Sequence, residues 1–331
     1  MTDVVYAFED LVPGLALEFG PTVVGEAAII AFARAYDCQP FHVDPVAAKA
    51  GFAGGLIASG WHSCALTMRL LCDGFVLRST SMGSPGIAEV RWLRPVRPGD
   101  ALTARLTVKE ARASASKPDR GLVRCLVDLR NGAGDTVMTQ DFTVFFARRG
   151  ARPEPRPVAV PASAPEAAAA APVVPASPDR PCPYLEDLVP GAVETFAPTR
   201  FTAADIVAFA KAFDPQPFHV DEAAARASHF GGLCASGWQT AAAWMRQMLL
   251  ARGTPDSGAR IGPSPGFRDL RWRLPVYAGD VITFDSTLTG TRPSATRPGW
   301  GLAFHHNTGR NQRGETVFSF EGAVLWERRP R

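Results

Sequence analysis

Residues 36–61 read YDCQPFHVDPVAAKAGFAGGLIASGW, and residues 213–238 read FDPQPFHVDEAAARASHFGGLCASGW. The second stretch follows the first by 177 positions. Each contains an aspartate, a histidine five residues after it, and a glycine directly before a tryptophan. Because an acid, an imidazole and a glycine recur together at the same spacing, the sequence predicts two copies of one domain that carry the same chemistry.

The repeat extends over almost all of each half of the chain. Both halves open with the hexapeptide EDLVPG, at residues 9–14 and 186–191. A length of 331 residues also exceeds what one hydrophobic core usually holds. We therefore predict a first domain over 1–150 and a second over 184–331. Residues 151–183 are rich in proline and alanine, which predicts an extended linker long enough to let the two domains pair.

The first part of each domain has the periodicity of an amphipathic helix. Apolar residues recur at helical spacing over 29–36 and over 206–213, and Thr202 and Asp205 are placed as a capping pair. Prolines follow closely in both copies, and each biases the residue before it away from helix. The motif that carries the aspartate and the histidine is therefore predicted to be a loop.

A second helix is predicted after the motif in each half. It begins at Ser59 and runs to about Cys72 in the first copy, and it runs from Ser236 to about Arg252 in the second, because serine is a favourable helix cap. The helix has little polar surface, so we expect it to be central and buried. The segments after it alternate with a period of two residues and are separated by short turns, which predicts antiparallel strands. The predicted fold class is α+β.

Composition and charge argue against several classes of partner. The net charge of +3 is spread through the chain without a basic run, which argues against binding to nucleic acid. We find neither a membrane segment nor a signal-peptide pattern, so we expect a cytoplasmic protein that does not enter the membrane. The six cysteines show no paired spacing and are interpreted as reduced thiols.

The sequence contains no pattern typical of a metal or nucleotide site. HExxH and CxxC motifs and a glycine-rich nucleotide loop are all absent, so we expect neither a metal nor a cofactor. His305 and His306 are adjacent on a predicted strand, which turns their side chains to opposite faces. They match Cys125 and Leu126 of the first copy and are not interpreted as a metal pair.

The aspartate and the histidine of each motif are the candidate catalytic residues: Asp37 with His42, and Asp214 with His219. On a loop stiffened by proline, a carboxyl group and an imidazole can face one pocket and hold a water molecule between them. Adding water to an activated double bond needs one group that takes a proton and another that gives one. An isolated pair of this kind is more often a turn cap and a core histidine, but the duplication favours an active site.

Gly60 and Gly237 are the candidate oxyanion donors. Each is expected at the start of the second helix, where a backbone N–H and the positive end of the helix dipole point at negative charge. Such a donor suits the enolate oxygen that forms on a thioester carbonyl. Glycine also lets a substrate approach the backbone closely.

The two motifs resemble that of the MaoC-like, (R)-specific enoyl-CoA hydratase family, which runs Asp-x-Asn-Pro-(Leu/Ile)-His-x-Asp-Pro and is followed by a segment ending in His-Gly-Met. The family glycine falls on the two candidate oxyanion donors. The remaining matches are Asp37, Pro40, His42, Asp44 and Pro45 in the first copy and Asp214, Pro217, His219 and Asp221 in the second. The chain departs from the family at its Asn, which is Gln39 and Gln216 here, and at the His before the glycine, which is serine.

The resemblance implies a tandem hot-dog fold, in which an antiparallel sheet wraps a central helix in each half and the halves pack as a pseudo-dimer. It implies a hydro-lyase that adds water reversibly to a trans-2-enoyl-CoA to give the (R)-3-hydroxyacyl-CoA. No metal or redox cofactor is implied, and CoA is part of the substrate. The residues on either side of the glycine are implied to be substrate contacts, namely Ser59, Trp61, Ser236 and Trp238.

Other functions remain open at this point. Within the hydratase class, the substrate can be a branched or dicarboxylic acyl-CoA of the mesaconyl type. A hot-dog thioesterase would direct water at the carbonyl carbon instead, and a binding module would hold an acyl thioester without turnover. The expected partner is an acyl-CoA thioester in every case, and the paired halves leave room for further homo-oligomerisation.

Overall fold

The structure is a computed structural model that describes residues 6–151, 182–253 and 260–330. The predicted linker falls mainly on residues 152–181, outside the described residues. The helices of the first half are α1 Glu26–Tyr36, α2 Pro40–Val43, α3 Pro45–Ala50 and α4 Gly60–Gly74. Its strands are β1 Ala16–Val23, β2 Gly86–Trp92, β3 Ala101–Ala113, β4 Arg120–Arg130 and β5 Thr136–Ala147.

The second half repeats this order of elements. Its helices are α5 Ala203–Phe213, α6 Pro217–Val220, α7 Glu222–Ala227 and α8 Gly237–Arg252. Its strands are β6 Val193–Thr195, β7 Thr199–Arg200, β8 Gly266–Trp272, β9 Val281–Pro293, β10 Trp300–Arg310 and β11 Thr316–Glu327. The internal repeat of the sequence is therefore a repeat of structure.

The predicted helix starts are confirmed. The hydroxyl of Ser59 caps α4 by accepting a hydrogen bond from the N–H of Trp61 at 3.2 Å, and Ser236 caps α8 in the same way. The hydroxyl of Thr202 accepts from the N–H of Asp205 at 3.1 Å and so begins α5. In each case a side-chain oxygen satisfies a backbone donor that has no partner within the helix.

The prediction that the motif is a loop is wrong in part. The first helix does end before Asp37, but α2 and α3 then form two short helical segments. Pro40 and Pro45 each occupy the first position of one segment. At that position the missing proline N–H costs nothing and the fixed φ suits a helix. Proline here starts helical turns as well as ending a longer helix.

All strand pairs among the described residues are antiparallel, as predicted. They form one 11-stranded sheet whose main path runs β1-β3-β4-β5-β2-β8-β11-β10-β9-β6. The two halves meet where β2 pairs with β8. At this seam Gly86 and Gly266 let the backbones approach closely, because a Cβ on either glycine would lie 2.1 or 2.0 Å from a carbonyl oxygen of the opposite strand.

The two central helices lie inside the sheet and contact each other. Most of the buried apolar residues form one continuous core that includes α4, α8 and the inner faces of both sheet halves. Burying this surface is the main source of stability for the pairing of the halves. The double hot-dog arrangement, with the halves packed as a pseudo-dimer, is confirmed.

Candidate active site

The structure brings Asp37 and His42 together. Asp37 is the residue that ends α1, and His42 lies on α2 directly after it. Nε2 of His42 is 3.5 Å from Oδ2 of Asp37, and both side chains are buried. The break between α1 and α2 therefore turns the carboxylate and the imidazole toward the same point.

Hydrogen bonds fix the orientation of both groups. The Gln39 amide donates to Oδ1 of Asp37 at 2.8 Å, and the Ser59 hydroxyl donates to Oδ2 at 2.6 Å. Nδ1 of His42 lies 2.8 Å from the carbonyl oxygen of Ile57. Because a carbonyl oxygen only accepts, Nδ1 carries a proton, and Nε2 of the neutral ring is an acceptor that faces the carboxylate. A water molecule between the two acceptors can donate one hydrogen to each.

The second half contains the same arrangement. Nε2 of His219 is 3.5 Å from Oδ2 of Asp214, and both groups are buried. Gln216 and Ser236 donate to the carboxylate at 2.9 and 2.7 Å, and Nδ1 of His219 lies 2.7 Å from the carbonyl oxygen of Cys234. Each carboxylate–imidazole pair thus has the same local geometry.

Ser59 and Ser236 link the pair to the start of the central helix. Each hydroxyl accepts from a helix N–H and donates to the aspartate carboxylate, so its position is fixed from both sides. Both serines are thus positioning residues for the carboxylates, and Ser236 also lines the cavity of its own half. Trp61 and Trp238, the other predicted substrate contacts, line the cavities of their own halves.

Gly60 and Gly237 are the first residues of α4 and α8, so their N–H groups have no acceptor within the helix. A tryptophan ring covers the other side of each glycine. A Cβ on Gly60 would lie 2.4 Å from the ring of Trp92, and one on Gly237 would lie 2.2 Å from the ring of Trp272. Glycine is required here by the packing of an indole, in addition to any need for substrate approach.

Each pair opens into a cavity whose far wall comes from the other half of the chain. The cavity at Asp37 and His42 has a volume of about 820 Å³ and is also lined by Met245, Met248 and Leu249 of α8. The cavity at the second pair has a volume of about 620 Å³. Its opposite wall consists of first-half residues, including Met68, Leu71, Phe75, Leu106, Phe142 and Phe146. Neither half forms its site alone.

Several of these positioning residues were missed in the sequence. Gln39 and Gln216 depart from the family motif, but both copies retain a glutamine two positions after the aspartate. Trp92 and Trp272 also stand at matching places in the two copies, and that agreement is a signal that could have found them. No local sequence pattern indicates that residues of one half line the cavity of the other half.

The described residues contain no group of three or more His, Cys, Asp or Glu side chains placed to hold a metal ion. Within the same three ranges, no helix combines the length and the apolar character needed to cross a membrane. The six cysteines are free thiols, as the sequence predicts.

The family model for the MaoC-like domain matches residues 11–126 and 188–298, which include both carboxylate–imidazole pairs. The chain belongs to the MaoC-like domain family. Both halves are therefore MaoC-like domains, and the resemblance found in the motifs is confirmed over most of the chain.

Solved structures share the tandem arrangement of these MaoC-like halves. A protein described as a MaoC domain dehydratase from Chloroflexus aurantiacus is 16% identical, with a TM-score of 0.79 and coverage of 100% of both chains. A conserved hypothetical protein from Mycobacterium tuberculosis with a double hotdog fold is 18% identical, with a TM-score of 0.72, and the alignment covers 97% of this chain and 98% of that one. These likenesses establish the fold.

A curated relative, mesaconyl-CoA hydratase from Cereibacter sphaeroides, is 27% identical over 82 residues. The match covers 25% of this chain and 24% of the relative. The chain thus spans about a quarter of the length of this relative.

Proposed function

We propose that the protein is a hydro-lyase that adds water reversibly to the double bond of a trans-2-enoyl-CoA and forms the (R)-3-hydroxyacyl-CoA. The observation that carries this proposal is the facing pair of acceptors, Nε2 of His42 and Oδ2 of Asp37, with the same pair repeated at His219 and Asp214. Family membership and the named hydratase relative support it.

The proposed reaction uses the pair to hold and divide a water molecule. As the water oxygen bonds to C3, one member of the pair takes a proton from the water, and this proton is then delivered to C2 by the pair. The negative charge that develops on the thioester oxygen is stabilised by the N–H of Gly60 or Gly237 at the helix start. Both members are then unprotonated again, as at the start, so that one water is consumed for each double bond hydrated.

Exposed cations on the cavity walls fit a substrate with phosphate groups. Arg94 and Arg297 line the cavity of the first pair, and Lys117 and Arg273 line that of the second. Guanidinium and ammonium groups are the usual protein partners of phosphate oxygens. These side chains support a CoA ester as the substrate.

The decisive experiment is a panel of straight, branched and dicarboxylic enoyl-CoA esters, including a mesaconyl-type ester. Hydration is followed by loss of the absorbance of the conjugated double bond, and thioester cleavage is followed in parallel with a thiol reagent. We expect loss of absorbance without release of free CoA. Stoichiometric release of CoA would identify a thioesterase and overturn the proposal, and tight binding with neither change would identify a binding module.

A further inference from the structure

One pair of matched positions contributes to the difference in size between the two cavities. Gly322 lines the cavity of the Asp37 pair. The matching residue of the first half, 180 positions earlier, is Phe142, which lines the cavity of the Asp214 pair. The Asp37 cavity, which lacks this phenyl ring, has the larger volume, about 820 Å³, and the Asp214 cavity has a volume of about 620 Å³. The Asp37 cavity therefore has room for a larger acyl group.

The two cavities also differ in polarity. Ser286 on β9 and His305 and Asn307 on β10 line the Asp37 cavity, and all three are at least nine-tenths buried. They lie on the inner face of the sheet, where Ser286 is directly opposite Asn307 in the strand register. Oγ of Ser286 is 3.2 Å from Nδ1 of His305. We call these three side chains the polar row.

The first half has apolar residues or a thiol at the positions of the polar row, namely Leu106, Cys125 and Val127. Leu106 and Cys125 line the Asp214 cavity. At one further pair of matched positions the difference in polarity is reversed. Gln140 lines the Asp214 cavity, and its counterpart Phe320 lines the Asp37 cavity. At these four matched positions the Asp37 cavity has a hydroxyl, an imidazole and an amide, and the Asp214 cavity has a single amide.

The polar row has unused hydrogen-bonding capacity. Nε2 of His305 and Oδ1 of Asn307 are buried and have no partner among the described residues. Nδ2 of Asn307 donates to the carbonyl oxygen of His305 at 3.4 Å, which assigns Oδ1 as the vacant acceptor. Burial lowers the pKa of His305 to about 3, so the ring is neutral at neutral pH. The Ser286 hydroxyl has no other hydrogen-bond partner among the described residues, so we assign its hydrogen to Nδ1, which places the ring proton on Nε2 and makes Nε2 a vacant donor.

A vacant donor beside a vacant acceptor matches a hydroxyl group, which both accepts and donates. A carboxylate would satisfy the imidazole N–H and leave Oδ1 of Asn307 without a donor. Buried polar groups without partners are costly, so a ligand that satisfies both is favoured over one that satisfies neither. We propose that the Asp37 cavity takes a 2-enoyl thioester whose acyl chain bears a hydroxyl group held by His305 and Asn307, whereas the Asp214 cavity, where Oε1 of Gln140 is the one unpartnered atom at these matched positions, favours a less polar chain. This inference rests on the proposed function.

The test isolates each site with a single substitution. Asp214→Asn leaves the Asp37 site active, and Asp37→Asn leaves the other. For each variant, kcat/KM is measured with ω-hydroxylated and plain 2-enoyl-CoA esters over a series of chain lengths. We expect the ratio of kcat/KM for the hydroxylated ester to kcat/KM for the plain ester to be about tenfold higher in Asp214→Asn than in Asp37→Asn. One or two net hydrogen bonds to the hydroxyl group imply a difference of this size. A ratio equal in both variants, or higher in Asp37→Asn, would overturn the inference.

Substitution of the polar row tests its role directly. In the Asp214→Asn background, Asn307→Val, which installs the residue found at the matching first-half position, should lower the ratio about tenfold. Ser286→Ala provides a second and smaller change. His306→Gln is the matched control, because His306 lies on the same strand, faces outward and pairs with Glu321 at 2.6 Å. An unchanged ratio in Asn307→Val and Ser286→Ala would assign the polar row to bound water. A preference for an ω-carboxylate over the hydroxyl would also overturn the inference.

A binding measurement separates failure of this inference from failure of the proposed function. A saturated ω-hydroxyacyl-CoA cannot be hydrated, so calorimetric titration reports its affinity whether or not the protein is a hydratase. We expect Asn307→Val to weaken binding of this ligand about tenfold relative to the plain acyl-CoA. If the protein shows no turnover but Asn307→Val still weakens binding of the hydroxylated ligand selectively, only the proposed function is overturned. If both ligands bind equally well, the inference is overturned.

Discussion

Sγ of Cys72 lies 3.5 Å from Oδ1 of Asp214, so the central helix of the first half contacts the carboxylate of the second carboxylate–imidazole pair. Burial raises the pKa of the Cys72 thiol well above its usual value, and the nearby Asp214 raises it further, so the thiol stays protonated and donates. The residue at the matching place in α8 is Leu249, which lines the Asp37 cavity and has no proton to donate. The two sites therefore differ by one hydrogen bond that crosses between the halves.

We predict that Cys72→Ala, made in the Asp37→Asn background, lowers the kcat of the remaining site about threefold to tenfold, because one donor to Asp214 is lost. Cys72→Ser keeps a donor and should retain most of the activity. The control is Cys72→Ala in the Asp214→Asn background, where the active site is the one at Asp37. Equal losses in both backgrounds would show a general effect on packing and contradict a role for the thiol.

The duplicated pair predicts two working sites. Asp37→Asn and Asp214→Asn each preserve size and remove one carboxylate, so each should remove the contribution of one site and leave that of the other. With a plain aliphatic substrate, Asp214→Asn should remove the larger share. The double variant should lose about 10²- to 10⁴-fold in kcat, the usual cost of losing general acid–base catalysis. If one single variant is inactive with every substrate and the other is unaffected, only one half is catalytic.

The contact between Gly60 and Trp92 predicts a site-specific effect of adding one methyl group. In Gly60→Ala the new Cβ would overlap the indole, so the start of α4 or the ring must move. Overpacking of this kind costs about 1–3 kcal/mol in the free energy of unfolding, which is measured by urea denaturation. We also expect loss of hydration at the Asp37 site, because the helix N–H and the Ser59 hydroxyl shift together.

A second substitution checks this interpretation. Trp92→Leu in the Gly60→Ala background should recover part of the lost stability, giving a coupling energy between the two positions in a double-mutant cycle. Additive effects of the two substitutions would contradict a direct clash. Gly14→Ala is not a suitable control, since Gly14 has a φ of +91° and would be strained for a different reason. Gly25, which has open space at its Cβ and lacks that strain, provides the matched control as Gly25→Ala.

A buried histidine predicts a loss of stability in acid. His62 is stacked on Phe32 with ring centroids 4.5 Å apart, and burial lowers its pKa to about 3, with a smaller contribution from His42. In the unfolded chain its pKa is near the ordinary value of about 6.5. Between these values the unfolded state binds a proton that the folded state does not, so the free energy of unfolding falls as the pH falls from about 6.5 toward 3. The slope from His62 approaches about 1.4 kcal/mol per pH unit.

The second half supplies the matched residue for this test, because Gln239 occupies the place of His62. His62→Gln should flatten the dependence of stability on pH below about 6.5, and Gln239→His should steepen it. Both are measured by denaturant unfolding over a pH series. His305, which is also buried with a pKa lowered to about 3, contributes with the same sign in every variant and does not change the comparison. Identical slopes in all three proteins would contradict the assignment to His62.

Much of the local structure was predictable because it depends on residues close together in the chain. The caps at Ser59 and Thr202 follow from side chains that reach backbone donors two or three positions away. The short distance between Asp37 and His42 is also local, because α1 ends just before Asp37 and α2, which carries His42, begins three residues after it. The error over α2 and α3 was also local, since proline was read only as a helix breaker.

The sequence by itself determined the duplication, the antiparallel sheet around a central helix, and the identity of the two carboxylate–imidazole pairs. Only the tertiary structure decided what faces each pair across its cavity. The first half has no histidine at the place of His305, and only the fold shows that this difference separates one cavity from the other. Cys72 and Asp214 are 142 positions apart and meet only because the halves dock through their central helices. Spacing along a chain fixes local hydrogen bonds, whereas contacts between distant segments depend on how whole buried surfaces pack.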